Sequence, residues 1–150
     1  MYMEEVYIEA LQVIRTGFLA LILLIQSVWD IKSKRLPIWI TGVGALVGIL
    51  LWFLRGSYEL SQFVAMIPGI LCIVFAKVSK EAIGYGDGLL LSMMGIYLEF
   101  SVMLGVCLWA FILAGFLALF LLVMKKKKGK QEIPFVPFLF IGFLLEVFLC

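Results

Sequence analysis

Apolar residues run along this chain in six long blocks, at roughly 10–31, 37–54, 60–79, 85–99, 101–124 and 133–150, separated by short polar stretches. Within each block the apolar positions are nearly continuous rather than alternating, so they read as helices buried on all sides. A helix needs about 20 mainly apolar residues to cross a bilayer. The pattern predicts an all-α integral membrane protein with six transmembrane helices, folded as one polytopic domain over residues 1–150. The fourth block is the shortest, and it opens with glycines and Asp87. Its first turn is therefore expected in a polar cavity rather than in lipid.

Composition strengthens that reading. The chain is 65% hydrophobic and 15% charged, against roughly 45–50% apolar residues in a soluble domain. A core of this size cannot hide the excess. Charge then orients the helices. Lys32, Lys34 and Arg35 follow the first block, Lys77 and Lys80 the third, and Lys125, Lys126, Lys127, Lys128 and Lys130 the fifth. These are alternate loops, which the positive-inside rule assigns to the cytoplasm. Both termini are then extracytoplasmic. Arg55 falls in an opposite loop, and Arg15 lies near the outer end of the first helix, where its stem is expected to snorkel. The four-lysine run reads as a topology anchor weakly drawn to anionic lipid, not as a nucleic-acid face. The start, MYMEEVYIEA, lacks a basic segment and a small-residue cleavage site, so no removable signal peptide is expected.

The inventory of reactive side chains is short. There is no histidine, which removes Ser-His and Cys-His nucleophile pairs and HExxH metal sites. Cys72, Cys107 and Cys150 lie inside apolar blocks without a CxxC pair. They suit packing better than a metal site or a disulfide. No metal and no cofactor is expected. What stands out is aspartate: only Asp30 and Asp87 occur, one at the inner end of the first helix and one at the inner start of the fourth.

Each has an ordinary reading. Asp30 could pair with Lys32 or Lys34, and Asp87 could cap a helix N-terminus. Two carboxylates at one depth of a membrane protein argue otherwise, because such groups are rare there and mark functional sites. When two carboxylates approach closely, repulsion prevents both from ionising. An ionised one can take a proton from attacking water while a protonated one hydrogen-bonds the developing oxyanion. Peptide hydrolysis by an aspartyl dyad is the chemistry this inventory supports best. The rival is a proton- or ion-coupled transport subunit with Asp30 and Asp87 as relay carboxylates.

Three motifs sharpen the choice. GYGDG, at 84–88, resembles the GxGD signature of membrane-embedded aspartyl proteases. DIKSKRLP, at 30–37, resembles the D-I-x-x-x-x-I/L-P element of type IV prepilin peptidases. IPFVPFL, at 133–139, resembles the element that begins their last helix. The resemblance implies cleavage of the basic leader from prepilin or pseudopilin substrates at the cytoplasmic face of the inner membrane. The partners it implies are that substrate's helix and the lipid bilayer, with no nucleic acid. It implies Asp30 and Asp87 as catalytic, with Gly84, Gly86, Gly88, Pro37, Pro134 and Pro137 shaping the site or binding substrate.

Two departures from the family pattern stand in the chain. Leu89 occupies the position where relatives usually carry lysine, leaving Lys77, Lys80 or Lys32 as candidate replacements. Ile38 stands where asparagine is common. Only about five residues separate the first two helices. That is too short for the cysteine-paired segment of the longer, methylating relatives. A compact peptidase without methyltransferase activity is expected, resembling those of Tad/Flp-type pili. Pro134 and Pro137 are expected to free backbone groups at the start of the last helix for pairing with a substrate strand.

Overall fold

The computed structural model describes residues 2–56, 60–78, 84–124 and 133–149. Helices are the only regular elements among them: α1 (Tyr2–Ser33), α2 (Ile38–Arg55), α3 (Leu60–Ala65), α4 (Ile67–Val78), α5 (Tyr85–Tyr97), α6 (Phe100–Val123) and α7 (Val136–Leu149). Their bounds follow the expected blocks closely, except that α1 begins well before residue 10. α3 and α4 are one span broken at Met66. Pro68 causes the break, since it lacks the N–H that would bond Val64 and its ring crowds that carbonyl.

Four units are long and apolar enough to cross a membrane: α1, α2, the α3–α4 span and α6. α5 and α7 have 13 and 14 residues, only about 20 Å of helix each. The chain is thus a multi-pass membrane protein, while two of its six expected spans are short. For α5 the reason is its position. It packs against α1, α2, α3, α4 and, less closely, α6. A helix walled by other helices meets little lipid and needs no full apolar length. Leu90, Leu91, Met93, Met94 and Tyr97 make it the most buried element, joined by Leu19 and Leu23 of α1, Met103 and Val106 of α6, and Leu139 and Phe143 of α7.

Close approach of backbones makes this packing possible. A Cβ on Gly69 of α4 would lie 2.2 Å from the Ser92 nitrogen of α5, and one on Gly95 would lie 2.6 Å from the Ala65 oxygen of α3. Van der Waals contact between helices replaces the hydrophobic drive that lipid removes.

Arg15 departs from expectation. It does not snorkel outward but is buried, and its Nη2 donates to the carbonyls of Ile96 (3.2 Å) and Tyr97 (2.8 Å). Those carbonyls end α5 and have no intrahelical partner. The guanidinium therefore caps α5 at the end opposite Asp87. Arg15→Met should destabilise the protein by about 1–3 kcal/mol, because buried carbonyls lose their donors. Thermal unfolding in detergent measures this; an unchanged midpoint would mean that the cap carries no stability.

Candidate active site

The site begins where α1 ends. Lys34 adopts a left-handed conformation (φ 52°) and its N–H donates to the Asp30 carbonyl, which stops the helix. Ser33 Oγ, donating to the carbonyls of Trp29 and Arg35, tightens the turn. Pro37 then caps α2 with φ −72° and ψ 98°, and its carbonyl accepts from Ile40 and Thr41. The chain reverses within a few residues, so Asp30 faces the bundle interior at 6% exposure.

α7 meets Asp30 at its first residue. The Val136 N–H donates to Asp30 Oδ2 at 3.1 Å. Pro137, next in line, has no N–H to satisfy, and the N–H groups of Phe138 and Leu139 both reach the Phe135 carbonyl. Every donor of this helix start is therefore accounted for, as a low-dielectric setting demands. Pro137 sits where helices tolerate proline, and the donor that is free of the helix goes to Asp30.

Asp87 sits in the first turn of α5, whose N-cap is Gly84 with no side-chain cap bond. Aspartate is thus not the cap itself. The three glycines around it serve three different neighbours. A Cβ on Gly84 would lie 2.9 Å from Asp87 Oδ2; on Gly86 it would meet Leu36 of the α1–α2 turn at 3.1 Å; on Gly88 it would lie 2.9 Å from the Ile73 nitrogen of α4. Gly84 makes room for the carboxylate, Gly86 for the turn below Asp30, and Gly88 for a neighbouring helix. The backbone that approaches Gly88 is the protein's own.

These elements enclose a cavity of about 800 Å³. Asp30, Asp87, Gly84, Gly86 and Pro134 line it, whereas Pro37, Gly88 and Pro137 do not. Asp30 and Asp87 thus face the same space. Leu36, Cys72, Leu91, Phe111 and Phe135 supply apolar walls, with the Phe111 and Phe135 rings 5.5 Å apart. The cations that face this space are Lys34 and Arg35. Lys32, Lys77 and Leu89 do not line it, and Lys80 lies outside the described residues, as do Lys125, Lys126, Lys127, Lys128 and Lys130. Lys34 was traceable in principle, being four residues beyond Asp30. Nothing in the sequence marked Cys72 or Phe111. Among the described residues no cluster of three potential metal ligands occurs.

The Gly84 contact carries a prediction. Gly84→Ala pushes against the far end of a short side chain, so the fold should survive while the Asp87 carboxylate moves. Any activity that uses the Asp87 carboxylate should then slow by about tenfold to 10²-fold in kcat, the scale of a sub-ångström to 1 Å misplacement. Native kcat in this variant would show that Asp87's rotamer does not matter.

Fold and cavity together define a polytopic helical membrane protein with a carboxylate pair on one internal cavity. The model of the type IV leader peptidase family matches residues 17–119. The chain belongs to that family. Membership implies prepilin peptidase activity, the work of an aspartic-type endopeptidase acting on prepilin substrates. No curated protein and no solved structure matches the chain. The matched span holds Asp30 and Asp87, while α7 lies beyond it and joins the site through Val136.

Proposed function

We propose that this protein removes the leader peptide from prepilin-like or pseudopilin substrates at the cytoplasmic membrane face, using water activated by Asp30 and Asp87. The observation that carries this is the shared cavity: the chain's two aspartates, from helices far apart in sequence, line one space. The ionised carboxylate takes a proton from water as its oxygen attacks the scissile carbonyl. The protonated carboxyl hydrogen-bonds the developing oxyanion. When the C–N bond breaks, the leaving nitrogen takes a proton, giving a new carboxylate and a free amine.

Orientation supports the cytoplasmic reading. Lys32, Lys34 and Arg35 follow α1, and Lys77 closes α4, at the same end as the aspartates. The positive-inside rule puts that end in the cytoplasm and both termini outside. In a bacterial setting the membrane is the inner one. The Ser33–Pro37 turn is too short for a methyltransferase segment between α1 and α2, which supports peptidase activity alone. Glycines 84, 86 and 88 and prolines 37, 134 and 137 then act by shaping the backbone around the pair.

The test is direct. Purified protein in detergent is incubated with a prepilin-type peptide and S-adenosylmethionine, and the products are weighed by mass spectrometry. One cut after the leader, with an unmethylated new N-terminus, is expected. No cut under any condition tried on an intact fold would overturn the reading, and ion flux in vesicles would favour the relay alternative.

A further inference from the structure

The end of the bundle opposite Asp87 holds a second cavity, of about 430 Å³. Arg15 of α1, Arg55 at the end of α2, Glu99 in the α5–α6 turn, and Glu146 and Val147 of α7 are among the residues that line it. Along α1, Arg15 stands about 22 Å from Asp30, and the hydrocarbon core of a bilayer is about 30 Å thick. With Asp30 near one face, this cavity meets the headgroups of the other.

Its lining carries charges of both signs. Arg15 is 5% exposed, and its Nη2 is committed to the carbonyls of Ile96 and Tyr97 at the end of α5. A guanidinium presents its N–H donors in a planar fork. Those left on Arg15 bond nothing among the described residues, yet protein does not seal them in, so they face the cavity. Glu99 is exposed at the rim, and its carboxylate accepts no hydrogen bond among the described residues. Arg55 and Glu146 add one more charge of each sign.

We propose that this cavity binds the headgroup of a phospholipid that carries a primary ammonium, as phosphatidylethanolamine does, with its phosphate on Arg15 and its ammonium at Glu99. The guanidinium fork matches two phosphate oxygens at once. A headgroup with net negative charge would meet both glutamates at close range and gain nothing from them. A choline headgroup is also zwitterionic, but its nitrogen has no N–H to donate to a carboxylate. The rim identifies a lipid rather than a soluble phosphoamine. Val147 lines the cavity, and Phe148 and Leu149 follow it, all three exposed. They offer an apolar edge for acyl chains where the headgroup enters. This site takes no part in the cleavage chemistry, and its test is independent of that reading.

The purified protein in detergent is titrated with dioleoyl lipids that differ only in headgroup, and bound lipid is counted by native mass spectrometry. The ethanolamine lipid should bind at least about tenfold more tightly than the choline or glycerol lipid, the scale of one charge-assisted hydrogen bond in a partly enclosed site. Glu99→Gln should bring the ethanolamine and choline lipids to within about twofold of each other, because the amide cannot pair with the ammonium charge. Glu99 is exposed, so this variant should keep the native unfolding midpoint without lipid. Glu4→Gln, an exposed change on α1 outside the cavity, should keep the native preference. Equal binding of all three lipids overturns the proposal, as does a preference for the glycerol lipid. A preference that survives Glu99→Gln overturns it too, by placing the lipid elsewhere. So does free O-phosphoethanolamine displacing the lipid at equal concentration, which would make the ligand a soluble phosphoamine.

Discussion

Asp30→Asn and Asp87→Asn should each abolish prepilin cleavage, with kcat reduced by about 10²–10⁴-fold, the worth of a positioned acid or base. Asparagine keeps the shape of aspartate but cannot carry or release the proton. At Asp30 it also keeps an oxygen that accepts the Val136 N–H, so the Asn variant should fold normally. Asp30→Ala differs in kind. It loses the same chemistry and leaves the first donor of α7 buried and unpaired, at a further cost of about 1–3 kcal/mol in stability. Rates with a prepilin-type peptide and unfolding midpoints in detergent separate the two effects. A near-native rate in either Asn variant would sink the dyad mechanism.

Gly69→Ala should be the most damaging single methyl in the protein. Its Cβ would lie 2.2 Å from the nitrogen and 2.6 Å from the Cα of Ser92. Both are backbone atoms of α5, so no rotamer change relieves the clash. α4 and α5 must move apart, at about 3 kcal/mol on the upper side of ordinary overpacking. Because α5 carries Asp87 in its first turn, activity should fall with stability. Gly17→Ala and Gly42→Ala make the contrast. Both positions are helical with open space, and alanine there should be neutral or stabilise by up to about 1 kcal/mol. Thermal midpoints for the three variants should rank in that order, and a tolerated Gly69→Ala would show that α4 and α5 pack more loosely.

The helices were legible because lipid imposes a length and a composition that few other structures share. The positions of Asp30 and Asp87 were legible for a related reason. Carboxylates are so costly in apolar blocks that two of them at matching depth demand an explanation. Arg15 was misjudged by the same logic. From sequence a cation near a helix end is free to snorkel, and only the fold shows the end of α5 waiting for a donor. At the prolines, sequence counts the N–H groups that are removed, but not the side chain that takes the N–H of Val136.

By itself, then, the sequence determined that the chain is helical and spans a membrane, and that Asp30 and Asp87 are its only aspartates. Those follow from local composition, spacing and the short list of residue types present. Tertiary structure alone decided which glycine serves the carboxylate and which serve packing. It also decided that Val136 holds Asp30 and that Lys34 and Arg35 rather than Lys32 or Lys77 face the cavity. Each of these depends on how two helices approach one another. That is set by side-chain volumes and backbone contacts across long separations, which no stretch of sequence carries alone.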